Sequence, residues 1–181
     1  MPVTAAKADL ETRVRQLIRD IPDYPKAGIL FKDITPLLAS PEMFAAATEG
    51  MAAPFANAGI THVVAIESRG FILGAPVALR LGAGFIPVRK PGKLPHKTRR
   101  EEYQLEYGTD ALEIHADAFT HSARVLIVDD VLATGGTAAA TRRLVEALGV
   151  PVVGFSFLIT LSFLPGVKKL GGANVARIIE Y

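Results

Sequence analysis

Short apolar runs alternate with amphipathic segments through the middle of the chain. Four apolar runs rich in β-branched residues predict strands, at residues 61–66, 85–89, 124–128 and 152–159. Between them, residues 71–81 and 137–148 show helical spacing, and Gly82 and Gly149 stand where these helices would end. Strands that alternate with helices in this way are typical of βαβ units. The pattern therefore predicts an α/β fold with a mostly parallel central sheet flanked by helices.

The remaining segments are less regular. Apolar residues recur at helical spacing over residues 6–20, and the Ser cap and first-turn Pro of residues 40–42 begin another helix. Pro54 predicts an early end or a kink for that second helix. Residues 90–123 break the βαβ rhythm with a basic stretch and then alternating apolar residues, which predicts an antiparallel excursion. Residues 175–180 predict a last short strand.

Composition narrows the class of protein. The chain has 181 residues, about one domain's worth, and 50% of them are apolar, which argues against disorder. Twenty basic residues against eighteen acidic ones leave a charge of +2, so the charge does not demand nucleic acid as a partner. The absence of Cys excludes disulfides and thiolate zinc sites. Residues 1–20 lack a signal-peptide core, and the uncharged run 150–167 fits a buried strand and turn better than a membrane span. We therefore expect a cytoplasmic protein.

The most informative stretch begins with two adjacent carboxylates, Asp129 and Asp130, which follow a buried strand. The next helix then opens with Ala133, Thr134, Gly135, Gly136 and Thr137. Glycines let backbone N–H groups converge, threonines add hydroxyl donors, and a helix N-terminus favours an anion, so this loop predicts a phosphate cradle. The loop lacks the features of a Walker A or a dinucleotide motif. Carboxylates suit sugar hydroxyls, so the stretch describes a site for ribose 5-phosphate. The alternative is a turn in which the acids merely cap a helix.

A second candidate anion site is Glu67-Ser68-Arg69-Gly70, which follows a predicted strand and so lies at the same edge of the sheet. Arg69 offers a guanidinium fork, and the glycine beside it exposes backbone N–H groups. The alternative is that Arg69 simply pairs with Glu67. Residues 89–100 hold six Lys and Arg residues broken by prolines and a glycine. They form either a solvated basic loop or a mobile lid over a polyphosphate.

Five motifs together carry a family resemblance. They are Phe31-Lys-Asp-Ile-Thr-Pro-Leu-Leu38, Glu67-Ser-Arg-Gly-Phe71, Arg89-Lys-Pro-Gly-Lys-Leu-Pro95, Leu105-Glu-Tyr-Gly108 and Val128-Asp-Asp-Val-Leu-Ala-Thr-Gly-Gly-Thr137. Their order and spacing resemble those of the adenine phosphoribosyltransferases, a family of type I phosphoribosyltransferases, and the resemblance covers nearly the whole chain.

The resemblance implies one phosphoribosyltransferase domain over residues 1–181. In it, about residues 1–40 contribute a small base-binding hood, and about residues 90–108 form a flexible catalytic loop. The implied reaction transfers the 5-phosphoribosyl group of 5-phosphoribosyl diphosphate (PRPP) to adenine, giving AMP and pyrophosphate in purine salvage. Mg²⁺ is expected as the cofactor, mainly through PRPP, with no firm protein ligand. A homodimer is expected, with no nucleic-acid or membrane partner.

The resemblance also implies residue roles. Glu106 and Arg69 are the catalytic residues, with Glu106 meeting a ring nitrogen of the base. The ribose-phosphate site comprises Asp129, Asp130, Ala133, Thr134, Gly135, Gly136 and Thr137. The pyrophosphate site comprises Ser68, Arg69, Gly70, Arg89, Lys90 and Lys93. The adenine site comprises Leu30, Phe31, Lys32 and Glu106, with the ring of Phe31 stacked on the base. No role is implied for His96, Lys97, Arg99 or Arg100.

Other interpretations stay open. Taken alone, Phe31 would be a core or staple residue and Glu106 a surface charge. The same fold could serve a phosphoribosyltransferase for another base, or a non-catalytic regulator that senses PRPP. A pyrophosphokinase that makes PRPP would require ATP, and no added nucleotide motif supports it. The free base that yields a nucleotide would distinguish among these functions.

Overall fold

The fold is described by a computed structural model that covers residues 3–104, 108–120 and 122–181, with the backbone alone for residues 3–7. In chain order the elements are α1 (Val3–Gln16), β1 (Arg19–Ile21), β2 (Phe31–Asp33), α2 (Thr35–Leu38), α3 (Pro41–Ala52), a 3₁₀ turn (Ala53–Phe55), β3 (His62–Ile66), α4 (Arg69–Leu81), β4 (Gly84–Val88), β5 (Thr98–Gln104), β6 (Thr109–His115), β7 (Val125–Leu132), α5 (Gly136–Glu146), β8 (Val152–Thr160), α6 (Gly166–Lys169) and β9 (Val175–Glu180).

Five strands form a central sheet in the order β4-β3-β7-β8-β9, and every neighbouring pair is parallel. Two antiparallel pairs, β1–β2 and β5–β6, lie outside this sheet. The predicted α/β class with a mostly parallel sheet flanked by helices is confirmed. Among the described residues, no helix is long and apolar enough to cross a membrane.

Both faces of the sheet are covered, which explains why its central strands contain continuous apolar runs rather than alternating apolar and polar residues. Successive side chains along a strand point to opposite faces. Val63 and Leu126 belong to the core that includes residues of α1, α3 and α4, whereas Val64 and Ile127 belong to the core that includes residues of α5 and the β5–β6 hairpin.

The helix boundaries follow their local signals in the centre of the chain. Ser40 caps α3, because its Oγ accepts a hydrogen bond from the backbone N–H of Met43 at 3.4 Å. The helix gives way at Ala52 to the 3₁₀ turn that contains Pro54, as predicted. Gly82 ends α4 in the left-handed conformation, with φ of 64°.

The first helix is shorter at its end than the predicted span of 6–20. It ends at Gln16, where the N–H groups of Leu17 and Ile18 bond to carbonyls three residues back. Residues 19–21 then form β1. The prediction was wrong there because Leu17 and Ile18 still pack against the core from the turn. The helical spacing of apolar residues therefore continues past the end of the helix.

Strand β7 is longer than the predicted span of 124–128 and contains both carboxylates instead of ending before them. Its partner β8 continues alongside, pairing Asp129 with Phe157 and Leu132 with Thr160. Ladder hydrogen bonds therefore outweigh the polarity of Asp129 and Asp130. The other neighbour, β3, pairs with β7 only as far as Val128, so both carboxylates lie beyond that pairing.

The predicted antiparallel excursion is confirmed as the β5–β6 hairpin, paired from Thr98 and His115 to Gln104 and Thr109. Strand β5 falls within residues 90–108, whose flexibility stays a prediction. The hood assigned to about residues 1–40 also stays a prediction; the β1–β2 ribbon lies in that segment.

Candidate active site

The two predicted anion-binding loops meet at the carboxyl edge of the sheet. One loop joins β3 to α4 through Glu67 and Ser68, and the other joins β7 to α5 through residues 133–135. Because β3 and β7 are parallel neighbours, both loops leave the same edge. The fold thus brings the acidic pair, the glycine-rich loop and Arg69 together, as the sequence predicts.

Arg69 reaches across to the acidic pair. Its Nε lies 2.7 Å from Oδ2 of the buried Asp130. The approach is close at the start of α4, where a Cβ on Gly70 would lie 2.7 Å from Oδ1 of Asp129. The alternative that Arg69 pairs with Glu67 is therefore wrong, because the partner of Arg69 is Asp130.

The acidic pair is electrostatically strained. Burial first, and then the neighbouring charge of Asp130, raise the pKa of Asp129 well above its ordinary value. Burial also raises the pKa of Asp130, although the charge of Arg69 opposes that rise. Oδ2 of Asp130 is buried. It forms an ion pair with Arg69, but no group among the described residues donates a hydrogen bond to it. Its remaining lone pairs could accept hydrogen bonds from hydroxyl groups once Arg69 moves away.

The glycine-rich loop leads directly into α5. Gly135 caps this helix with φ of 77°, and the first turn of α5 contains no acidic residue, which suits an anion. A Cβ on Gly135 would lie 2.8 Å from the carbonyl oxygen of Gly166, so the loop is packed against the start of α6. Oγ1 of Thr137 donates to the hydroxyl oxygen of Tyr103 at 3.4 Å, which connects the loop to the β5–β6 hairpin.

The basic loop is attached to Glu67. Arg89 donates from Nε to Oε2 at 2.8 Å, and Lys93 donates from Nζ to Oε1 at 2.8 Å. Burial by itself would raise the pKa of Glu67, but the hydrogen bonds from Lys93 and Arg89 outweigh it and hold the pKa below its ordinary value. Arg89 and Lys93 consequently lie beside the loop that carries Ser68 and Arg69. That they bind pyrophosphate stays a prediction.

Lys90 points to a different carboxylate. It forms an ion pair with Asp110 on β6 and lies 3.5 Å from the hydroxyl of Tyr103. Tyr103 donates in turn to Oδ2 of Asp110 at 3.2 Å. Neither Asp110 nor Tyr103 is predicted from the sequence as a site residue. Tyr103 is one of the alternating apolar residues of the segment 90–123, and that alternation does not reveal the register of the hairpin that brings Asp110 to it.

Phe31 lies at the start of β2 and faces Arg69. The guanidinium carbon of Arg69 is 4.7 Å from the centre of the Phe31 ring, and the ring of Tyr24 packs edge-on at 5.1 Å. Within the described part of the chain, Phe31 belongs to neither apolar core, so the core-residue alternative is wrong.

The neighbours of Phe31 differ in exposure. Leu30 is exposed, whereas the side chain of Lys32 is buried. Nζ of Lys32 lies 2.7 Å from Asp20 and 3.8 Å from the centre of the Tyr181 ring. The side chain of Lys32 is therefore committed to the interior, and only its backbone could read a base.

Glu106, the predicted catalytic residue, lies outside the described residues together with Leu105 and Tyr107 of its motif. Its role stays a prediction. Among the residues that the structure covers, no group of three or more His, Cys, Asp or Glu side chains is arranged to hold a metal ion.

Comparisons with known proteins agree with this geometry. A family model described as a phosphoribosyl transferase domain matches residues 33–162. A protein of Myxococcus xanthus named adenine phosphoribosyltransferase is 54% identical over 98% of this chain and 95% of its own. The crystal structure of adenine phosphoribosyltransferase from Rhodothermus marinus superposes with a TM-score of 0.92 at 54% identity, covering 96% of this chain and 99% of that one. The Saccharomyces cerevisiae enzyme, complexed with an imino-altritol bisphosphate and adenine, gives a TM-score of 0.88 at 39% identity, covering 95% of this chain and 99% of that one.

Proposed function

The chain belongs to the adenine phosphoribosyltransferases, within the phosphoribosyl transferase family, and we propose which of its residues perform the transfer. The reaction joins adenine to the 5-phosphoribosyl group of PRPP and releases AMP and pyrophosphate. It is a purine-salvage reaction.

The assignment of residues rests on one observation: Asp129, Asp130, the glycine-rich loop and Arg69 converge at one edge of the sheet. The 5-phosphate would bind in the loop Ala133–Thr137, at the N-terminus of α5. Ribose hydroxyls would donate to Asp129 and Asp130. Pyrophosphate would lie between the β3–α4 loop and the basic loop, against Ser68, Arg69, Gly70 and the cations at positions 89, 90 and 93.

The chemical step forms one bond and breaks one. N9 of adenine attacks C1′ of the ribose, and the C1′–oxygen bond to pyrophosphate breaks with its electron pair leaving on pyrophosphate. Positive charge that develops on the ribosyl group would be stabilised by the carboxylates of Asp129 and Asp130, while Arg69 would neutralise the leaving group. Glu106 would manage the proton of the purine, and Phe31 would hold the base in line for attack.

Adenine would compete with Arg69 if it stacked on the face of Phe31 that the guanidinium covers. A stacked base needs about 3.5–4.0 Å of separation on each of its sides. The 4.7 Å between the guanidinium carbon and the ring centre leaves no room for a base between them. Arg69 would therefore move off the ring as the substrates bind, toward the pyrophosphate.

The carboxylates of Asp129 and Asp130 and the phosphates of PRPP are ligands that suit Mg²⁺. Mg²⁺ prefers oxygen ligands and is commonly held through substrate phosphates and one or two carboxylates. Asp129 and Asp130 are the carboxylates nearest to the proposed ribose site, and they would contact the ion or its water. When bound, the ion would neutralise charge on the diphosphate and make it a better leaving group.

A homodimer in the cytoplasm completes the proposal. Ile72, Ala75, Pro76 and Leu79 form an apolar stripe on the outer side of α4, and Leu79 is 83% exposed. Exposed apolar stripes of this kind mark protein–protein contacts. Self-association through α4 would cover the stripe close to the active site, because α4 begins at Arg69.

The test of the reaction is pyrophosphate release with one free base at a time. The protein would be mixed with Mg²⁺, PRPP and adenine, hypoxanthine, guanine, xanthine or uracil. Turnover with adenine alone is the expected result. Turnover with another base would contradict the adenine site at Phe31, and PRPP binding without turnover on any base would favour the regulator.

A further inference from the structure

Glu67 is a buried carboxylate that the reaction, as assigned above, leaves without a role. Its side chain is 7% exposed, and each of its oxygens accepts a hydrogen bond at 2.8 Å from a different cation of the basic loop. A buried charge is costly unless it is paired, so this carboxylate requires both partners to be in place.

Arg89 and Lys93 keep donors to spare in this arrangement. Arg89 uses Nε for Glu67 and one donor of Nη1 for the carbonyl oxygen of Lys93 at 3.1 Å, which leaves three of the five N–H groups of a guanidinium. Lys93 uses one of its three donors for Glu67. Their side chains remain 35% and 50% exposed, so the remaining donors can reach a ligand.

The backbone of the basic loop is fixed separately, by Glu113 on β6. Arg89 and Glu113 exchange two backbone hydrogen bonds, and the N–H of Gly92 donates to Oε2 of Glu113 at 3.1 Å. Glu113 therefore holds the backbone at Arg89 and Gly92, whereas Glu67 holds the side chains of Arg89 and Lys93 and also accepts a backbone hydrogen bond from Lys90. The two glutamates hold different groups of the same loop.

We propose that Glu67 is a positioning residue for the pyrophosphate leaving group, and that its carboxylate holds Arg89 and Lys93 beside the β3–α4 loop with their spare donors free. This inference rests on the proposed function of that loop. Long cationic side chains lose much rotational freedom when they are ordered. Glu67 orders these two before the substrate arrives, so pyrophosphate meets a site that is already arranged.

A competing role for the same carboxylate predicts the opposite change in pyrophosphate affinity. If Glu67 merely occupied the place that pyrophosphate takes, pyrophosphate would have to displace it, and removing its charge would tighten pyrophosphate binding. If Glu67 only maintained the fold, its removal would weaken every ligand alike. The glycine-rich loop belongs to another part of the sheet edge, so ribose 5-phosphate reports on the fold independently.

The experiment is calorimetric titration of the full-length protein with magnesium pyrophosphate and, separately, with ribose 5-phosphate. For Glu67→Gln we expect pyrophosphate to bind at least tenfold more weakly, with ribose 5-phosphate unchanged within twofold. Glu113→Gln is the matched control, because it removes a carboxylate beside the same loop that contacts neither cation, and it should change neither affinity by more than twofold. Pyrophosphate binding that is unchanged or tighter in Glu67→Gln, or an equal loss for both ligands, would overturn the proposal.

A double-mutant cycle shows whether Glu67 acts through a cation. In a Lys93→Met background, the Glu67→Gln change should cost a much smaller factor in pyrophosphate affinity than in the wild type, and equal factors would overturn the proposal. If Glu67→Gln does not fold, Glu67→Asp keeps the charge but is too short to reach both cations. It should show a smaller loss of pyrophosphate affinity, and wild-type affinity would again count against the proposal. Wild-type protein that binds neither fragment would instead refute the proposed function.

Discussion

Replacement of Asp129 by Asn should stabilise the ligand-free protein at neutral pH while it weakens PRPP binding. The carboxyl of Asp129 has a raised pKa because it is buried and lies beside the charge of Asp130. Its ionised form is therefore less favourable in the folded protein than in the unfolded chain. Asn keeps the oxygen that accepts the backbone N–H of Asp130 at 2.9 Å, so the local geometry survives without the charge.

The sign and size of the stability change follow from proton linkage. Between the ordinary Asp pKa near 3.8 and the raised value, the folded protein binds more protons than the unfolded chain, so stability falls as pH rises through that window. Each unit of raised pKa corresponds to about 1.4 kcal/mol of unfolding free energy lost above the window. With about 2.1 cal/mol/K of unfolding entropy per residue, a chain of 181 residues would shift its Tm by about 3–4 °C per unit.

The measurement is Tm as a function of pH in the absence of ligands, from pH 4 to pH 8. Asp129→Asn should match the wild type near pH 4 and exceed it at pH 7.5, by about 3–4 °C for each unit by which the pKa is raised, while its KM for PRPP rises. Asp117→Asn, at an exposed site on the turn after β6, is the control and should follow the wild type. A variant that is less stable than the wild type at pH 7.5, or a Tm difference independent of pH, would refute the argument about Asp129.

Three further substitutions test the glycine-rich loop, the base site and the subunit contact. Gly135→Ala should lower the free energy of unfolding by about 1–2 kcal/mol because of the left-handed φ, and it should weaken ribose 5-phosphate binding because the new Cβ collides with Gly166. Gly149→Ala is the control, since Gly149 has nearly the same φ but lies in open space, and it should lose stability without losing affinity. Chemical unfolding measures the stability and calorimetry the affinity. Phe31→Leu should raise KM for adenine about tenfold, since stacking contributes about 0.5–1.5 kcal/mol beyond area burial, and an unchanged KM would remove Phe31 from the base site. Leu79→Glu should convert a dimer to a monomer in light scattering, and wild-type protein that is already monomeric would contradict the α4 contact.

The central sheet could be predicted from sequence because its signals are local. Strands buried on both faces read as continuous apolar runs, and Ser40 and Gly82 mark helix ends by their own chemistry. The β1–β2 ribbon gives no such signal. Its strands, Arg19–Ile21 and Phe31–Asp33, have three residues each, and most of those residues are polar. Such short strands depend on pairing with each other rather than on a periodic pattern.

The convergence of the site could also be predicted, whereas the pairing of its charges could not. Parallel strands deliver Arg69 and the acidic pair to one edge whatever the details of the loops. The partners of Glu67 are 22 and 26 residues away in sequence, and they are selected by how the basic loop folds back along β6. Asp110 pairs with Lys90 only because of the hairpin register. Long-range register has no local signature, so the sequence indicates the cations but not their partners.

These pairings divide the cations of the site into two kinds. Arg69 holds Asp130 and covers Phe31, and each of those contacts occupies a group that the sugar or the base would use. Arg89 and Lys93 are different, because their partner Glu67 belongs to neither the proposed ribose site nor the proposed adenine site. Their contacts therefore occupy no group that the sugar or the base would use. A pyrophosphate group that attracts Arg69 would therefore uncover the sugar carboxylate and the face of Phe31 in the same movement. Arg89 and Lys93, by contrast, can bind the anion without leaving Glu67. In the proposed arrangement, the leaving group would thus prepare both the sugar site and the base site, and the guanidinium of Arg69 would couple the two.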